Sequence, residues 1–240
     1  FAGSGNAGSR DGNGIFTSFN FPQALAADTA DNIFVVTNFS GQSQILSSSY
    51  NSIDPSNFSS SWNAVYNTFG TLGSSTVLGT SIFVGENFSM GLHTSSNGTT
   101  FTSLSLTPPS GSSYNFSISA LGNFSVNNAL YLGTQNYTNG AELWKSFDLG
   151  NSWILVDKFA GYDKVTSIKE HSGELWITLS GTFSTQKFLV KRSSDGANFS
   201  TSINSNDGNT NNKGTLGNTE LFNNQIYYAT NADYVGDHLY

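Results

Sequence analysis

Ser81-Ile82-Phe83-Val84-Gly85 is one of five versions of a single short strand. The others are Asn32-Ile33-Phe34-Val35-Val36, Ala129-Leu130-Tyr131-Leu132-Gly133, Glu174-Leu175-Trp176-Ile177-Thr178 and Gln225-Ile226-Tyr227-Tyr228-Ala229. Their central aromatics, Phe34, Phe83, Tyr131, Trp176 and Tyr227, are separated by 49, 48, 45 and 51 residues. A repeat of that length marks a propeller or a solenoid. The β-branched and aromatic content, almost without polar interruption, suits an inner strand covered on both faces.

Outward from this strand, each unit has the same parts. A short alternating strand precedes it: Ala24 to Asp28, Ser75 to Gly79, Phe116 to Leu121, Lys164 to Lys169 and Leu216 to Phe222. Turn residues such as Asn127-Asn128, Ser172-Gly173 and Asn223-Asn224 join the two. A third strand follows, at Gln44 to Ser47, Gly91 to Thr94, Glu142 to Lys145, Lys187 to Lys191 and Asp237 to Tyr240. A fourth begins near an aromatic: Trp62, Phe101, Trp153 or Phe199. Four short antiparallel strands per unit describe a propeller blade. No stretch carries capped helical periodicity. The predicted architecture is all-β, a single propeller domain over residues 1–240. It has an N-terminal arm (1–20) and five blades, at about 21–70, 71–112, 113–160, 161–205 and 206–240.

Composition narrows the function. Charged residues make up 10% of the 240, while Ser plus Thr number 61, Asn 28 and Gly 25. The net charge of −7 is wrong for tracking phosphates, so no nucleic-acid partner is expected. There is no cysteine, which removes disulfides and thiolate metal sites. No apolar run is long enough to span a membrane. The chain begins at Phe1, as a processed export precursor or a segment of a longer chain would. Together these features lead us to expect an extracellular or cell-surface protein.

The turn after the third strand carries a resemblance. Ser146-Phe147-Asp148-Leu149-Gly150-Asn151-Ser152-Trp153 matches S-x-D-x-G-x-[ST]-W, with Ser146, Asp148, Gly150 and Trp153 at the key places. Ser194, Asp195, Gly196 and Phe199 make a shortened version, and Ser95-Ser96-Asn97-Gly98-Thr99-Thr100-Phe101 a degenerate one. These resemble the Asp-box (BNR) repeats of sialidase-like propellers, where the box is structural. The resemblance implies a tight turn made by Asp and Gly, and an aromatic packed between blades. It does not imply sialidase activity: that chemistry uses three arginines, and this chain has Arg10 and Arg192. Phe1-Ala2-Gly3-Ser4-Gly5, Asp11-Gly12-Asn13-Gly14, Phe19, Pro22, Ala26-Ala27-Asp28 and Asn32-Ile33-Phe34-Val35 resemble a second propeller motif, the NHL repeat.

The fifth unit ends at Tyr240 with its third strand. By the NHL resemblance, Phe1-Ala2-Gly3 would supply the missing strand. It would close the ring in its own chain or complete a neighbour's blade, which repeated head to tail gives a filament. Other copies of the chain are therefore one expected partner.

Asn-x-Ser/Thr occurs at Asn38, Asn57, Asn87, Asn97, Asn115, Asn123, Asn136 and Asn198. Composition alone gives about seven by chance, but six are Asn-Phe-Ser, where chance gives about 0.6 for Asn-Phe followed by either Ser or Thr. Asn38, Asn87 and Asn136 are spaced by 49 and 49, each just past its motif strand. They are either glycan acceptors on one rim or the favoured sequence of a turn. His93, His171 and His238 are scattered, and no metal or cofactor is expected. The Gly3-x-Gly5-x-x-Gly8 spacing opens no helix, so it is read as a Gly-rich arm. A glycosidase would need two carboxylates across a cleft, drawn from Asp28, Asp31, Asp54, Glu86, Glu142, Asp157, Asp163, Glu170, Glu174 and Glu220. The reading expected is a non-enzymatic structural or adhesive module that self-assembles and carries N-linked glycans. A carbohydrate-binding propeller and a glycoside-processing enzyme are the rivals.

Overall fold

The computed structural model describes residues 6–8, 12–13, 18–28, 32–39, 42–48, 61–68, 70–112, 116–181, 187–204, 215–222, 225–232 and 236–239. Every regular element among them is a strand. The chain divides into two compact units, Phe1–Leu106 and Thr107–Tyr240.

In the first unit, Gly12–Asn13 (β1) precedes Pro22–Ala27 (β2), Ile33–Phe39 (β3), Gln42–Ser48 (β4) and Ser61–Thr68 (β5). These form one sheet in the order β1-β5-β4-β3-β2. Thr71–Leu78 (β6), Ser81–Asn87 (β7), Leu92–Ser95 (β8) and Thr102–Leu104 (β9) form the next, in sequence order. The second unit starts with Ser117–Phe124 (β10), Ala129–Gln135 (β11), Ala141–Ser146 (β12) and Ile154–Phe159 (β13). Lys164–His171 (β14), Glu174–Ser180 (β15), Phe188–Ser193 (β16) and Ser200–Asn204 (β17) repeat the pattern, joined to it by the pair Gln135–Lys164. Thr215–Phe222 (β18), Gln225–Ala232 (β19) and Gly236–Leu239 (β20) make a three-stranded sheet.

The repeating motif is the second strand of each run: β3, β7, β11, β15 and β19. Having a partner on both edges satisfies its backbone, and packing on both faces explains why its apolar residues hardly alternate. Phe83 and Tyr131 are fully buried, and Ile82, Val84, Leu130, Leu132 and Ile177 beside or across from them are also at 0% exposure. Burying each such side chain contributes about 1.5–3 kcal/mol relative to leaving it in water. Each unit has its own core, built from the same kind of residue. In the first unit, Phe34, Val36, Ile45, Leu72, Ile82, Val84 and Phe101 cluster together. In the second, Phe124, Tyr131, Leu143, Phe159, Val165, Ile168, Leu175 and Ile177 do so.

Every run also has a β-bulge at the same place in its first strand. The register against the motif strand shifts between Pro22 and Ala24, Leu72 and Ser74, Ile118 and Ala120, Val165 and Ser167, and Leu216 and Thr219. A bulge bends its strand and increases the local twist, so its regular placement curls each sheet the same way.

Two sequence expectations change. The strands are longer than their apolar centres; β6, for example, starts at Thr71, where Ser75 was expected. In the N-terminal arm, Gly12 and Asn13 pair with Trp62 and Ser61 of β5, and Phe19 packs edge-on to Trp62 at 5.3 Å. This part of the arm thus extends the first sheet and not the β18–β20 sheet. Trp62 offers a large buried indole and β5 an outer edge, which together capture the arm locally. Phe1-Ala2-Gly3, the segment expected to complete the last blade, lies outside the described residues, as does Tyr240.

Candidate functional site

Three turns share one hydrogen-bond scheme at the end of β8, β12 and β16. In the β12 turn, Ser146 Oγ donates to Asp148 Oδ1 (2.7 Å) and accepts from the N–H of Gly150 (2.8 Å). Asp148 then accepts from the N–H and hydroxyl of Ser152 at 2.8 and 2.6 Å. In the β16 turn, Ser193 Oγ donates to Asp195 Oδ1 (2.8 Å) and accepts from Gly196 N–H (2.9 Å), while Asp195 accepts from Ala197 and Asn198. In the β8 turn, Ser95 and Asn97 do the same with Gly98, Thr99 and Thr100. Ser193 therefore takes the place that the sequence reading assigned to Ser194. In both turns the serine stands two residues before the Asp, and this one is a residue shorter between Asp and Gly. Hydrogen bonds from Ser152 and Ser146 hold the Asp148 carboxyl down at about 2, against an ordinary 3.8. Those from Asn198, Ala197 and Ser193 hold Asp195 well below the carboxylate range.

Two of these turns dock on a motif-strand aromatic from the preceding run. Gly98, at φ +69°, lies against the Phe34 ring, where a Cβ would come within 2.8 Å of Cζ. Gly196, also at +69°, lies against Tyr131, and its carbonyl accepts from the Tyr131 hydroxyl at 2.8 Å. Trp153, after the Asp148 turn, is buried, donates to Gly150 O (3.1 Å) and packs on Trp144. Phe199 packs on the edge of the second unit's core.

The opposite end of the motif strand holds the sequence-predicted asparagines. Asn136 is 3% exposed, its Oδ1 accepting from Thr138 and Asn139 N–H, both at 3.0 Å. Asn38 accepts from the Ser43 hydroxyl and reaches the Leu72 carbonyl at 3.5 Å. Asn87 is half-buried, with its amide against Gly73 of β6. Asn136 is turned inward, while Asn38 and Asn87 are half-buried against the neighbouring first strand. Asn97 and Asn198 are exposed and Asn123 half-buried; Asn57 and Asn115 lie outside the described residues.

What the Asn87 and Asn136 turns present outward is the next side chain. Phe88 is 80% exposed and Tyr137 73%. Phe88 sits at φ +66°, a conformation that costs a bulky side chain roughly 1–3 kcal/mol. A polar network holds it there. Ser89 donates to Glu86 and accepts from Gly91 N–H (3.1 Å), and Glu86 N–H bonds Gly91 O (2.8 Å). Glu86 Oε1 in turn meets His93 Nε2 at 2.8 Å. The other ring nitrogen of His93 faces the Tyr66 hydroxyl at 3.0 Å and the Ser103 hydroxyl at 3.1 Å. Burial opposes the Glu86 charge, but hydrogen bonds from Ser89 and His93 and the charge on His93 leave its carboxyl below the ordinary 4.5. The sequence reading left Glu86 and His93 in separate pools. The signal was their seven-residue spacing across a hairpin, which brings both to one end of β7 and β8.

The remaining acids are dispersed. Asp28 bonds Asn32 at 2.7 Å. Buried Glu142 accepts from Trp144 Nε1 (2.9 Å) and pairs with Lys158 (3.2 Å). Asp157 meets Lys191 at 3.0 Å, and Glu174 meets Arg192 at 3.2 Å. Glu170 accepts twice from Ser125, both at 2.6 Å, and Glu220 pairs with Lys169. Asp163 is buried, and burial raises its carboxyl above 3.8 against the pull of Lys187. Asp31 and Asp54 lie outside the described residues. His171 is a buried strand-end residue paired across from Glu174. Among the described residues no three His, Cys, Asp or Glu side chains cluster as metal ligands, and no helix is long and apolar enough to cross a membrane.

No protein-family model matches the chain, and no curated protein matches it in sequence. Solved structures do resemble it. One, described as YCF48 bound to D1 peptide, superposes with a TM-score of 0.59 at 9% identity, over 89% of this chain and 63% of that one. A protein from Lactobacillus plantarum gives 0.58 at 9% identity, over 95% of this chain and 72% of its own. The chain thus spans under two thirds of the YCF48 structure's length. At such identity the likeness bears on fold alone, and with the repeated curled sheets it identifies the fold of this chain as a β-propeller.

Proposed function

We propose that this propeller is an exported, non-enzymatic structural or adhesive module of a cell surface, with five blades. The observation that carries the reading is where its reactive groups go. Asp148 and Asp195 are held in turns, Glu86 by Ser89 and His93, and Glu142 by Trp144 and Lys158. Each is engaged in holding the sheets together, while hydroxyls, amides and scattered apolar side chains such as Phe88, Tyr137, Leu25 and Val126 face outward. A surface poor in charge and rich in Ser, Thr and Asn fits contact with the outside of a cell. If the chain is glycosylated, Asn97 and Asn198 are the accessible acceptors. Self-association by strand addition at the last blade belongs to the same reading.

Protease shaving of intact source cells tests this directly. Peptides ending at Lys145, Lys158 or Lys191 are expected in the released fraction before lysis, and their recovery only after lysis overturns the reading. In the same digest, sugar mass on Asn198, in the peptide that runs from residue 193 to 213, is compatible with export, whereas sugar mass on Asn136 contradicts the inward clasp.

A further inference from the structure

We propose that the Phe88 and Tyr137 turns are carbohydrate-binding platforms, each stacking its ring on the apolar face of a sugar. The inference rests on the adhesive reading above and supplies its ligand class. Three observations carry it. The two rings occupy equivalent places in the repeat, 49 residues apart, one residue beyond a buried or half-buried asparagine. They are 80% and 73% exposed, so neither stabilises its own unit by burial. Both turns are tied by side-chain hydrogen bonds: Asn136 Oδ1 accepts from Thr138 and Asn139, and the Ser89–Glu86–His93 chain brackets Phe88 at positive φ.

Glycine and asparagine are the usual residues at such a φ, and Phe88 has the highest φ of the non-glycine residues that adopt one among those described. Holding phenylalanine there spends stability on presenting a ring, a use of strain found at binding sites. The neighbourhood selects the ligand. Thr138 and Asn139 are exposed beside Tyr137, and the Gln135 amide meets the Tyr137 hydroxyl. An aromatic plane edged by hydroxyls and amides suits a molecule with apolar C–H faces and polar rims, which is the surface of a pyranose. An apolar protein partner would want a continuous patch; Met90 is exposed near Phe88 in the same turn, but Tyr137 stands beside exposed Thr138 and Asn139.

Native affinity electrophoresis of the full chain in gels holding soluble β-1,4-glucan, α-mannan or xylan tests the proposal. At least one polysaccharide is expected to retard the protein. Phe88→Ala or Tyr137→Ala should weaken retardation about tenfold, and the double variant should abolish it. Phe88→Trp and Tyr137→Trp should preserve it. Melting temperatures should stay unchanged in the alanine variants, because both rings are exposed. Migration unaffected by all three polysaccharides overturns the proposal, as does a double variant retarded like the native chain. Retention on a phenyl matrix without polysaccharide retardation overturns it in favour of an apolar partner. Surface shaving reports separately: surface peptides without retardation leave the export reading standing and remove only the sugar.

Discussion

The Phe34–Gly98 joint in the first unit and the Tyr131–Gly196 joint in the second are built at matching places but differ in chemistry. Both put a motif-strand aromatic under a positive-φ glycine of the next run's turn. In the first, the ring meets the glycine by contact alone, and a recess of about 180 Å³ remains, lined by Asn32, Ser47, Asn63, Asn97 and Thr99 as well as the pair itself. In the second, the tyrosine hydroxyl donates to Gly196 O and accepts from Asn127 Nδ2 at 2.9 Å, and Asn127 also reaches Asp195 O at 3.3 Å. The lesson is that the repeat preserves a point of contact, and the side chains there are free to make it dry or hydrogen-bonded. Buried, the tyrosine hydroxyl must find partners, and Asn127 with the Gly196 carbonyl provides them.

The largest effect is expected from Gly196→Ala. A Cβ there collides with the Tyr131 hydroxyl and occupies a φ that L residues avoid. Thermal or urea unfolding should show a loss of about 3 kcal/mol. Gly98→Ala should lose less, about 2 kcal/mol, because the opposing atom is an unbonded ring carbon that can slide into the recess. Equal losses would show that backbone strain alone sets the cost. Tyr131→Phe comes next: it removes a hydrogen bond and leaves the Gly196 carbonyl short of its donor, for about 1–2 kcal/mol. The reciprocal Phe34→Tyr tests the recess. It should cost under about 1 kcal/mol, where a closed joint would make it an overpacking change of about 1–3 kcal/mol.

The smallest effects concern the turn acids. Asp148 has its folded pKa depressed from 3.8 to about 2, and Asp195 is depressed as well. A depressed carboxylate stabilises the fold above its unfolded pKa, and the contribution fades as pH falls through the folded one. The melting temperature should therefore drop as pH goes from about 4 to 2, and Asp148→Asn with Asp195→Asn should flatten that slope. Asn97, in the matching first-unit turn, does not titrate. Asn97→Asp should steepen the acid slope, and a flat response would mean that the β8 turn does not hold a carboxylate as the other two do.

Much of this was legible in the chain. The five apolar pentapeptides located the second strand of every run, because a strand covered on both faces has no polar alternation to dilute its signal. Asp148 and Trp153 were readable because turn chemistry is local. The bulges at Gln23, Gly73, Ser119 and Thr166 were not, since an inserted residue changes register without changing composition. The choice of Ser193 over Ser194 escaped for a related reason: both are serines, and only the hydrogen-bond geometry separates them. The asparagines at 38, 87 and 136 read equally well as glycan acceptors or turn residues. The burial of Asn136 and the half-exposure of Asn38 and Asn87 are set by packing, which the sequence does not show.

The sequence by itself determined the repeat, the all-β class and the strand order within each run, because these follow from periodicity and from turn residues acting over a few positions. Tertiary structure alone decided which groups meet. It set Glu86 on His93, Tyr131 on Gly196, and Phe88 and Tyr137 in solvent. Those contacts join residues on different strands, and their separations in the chain do not by themselves say which side chains will meet. Backbone pairing, bulges and the packing of one run against the next bring them together.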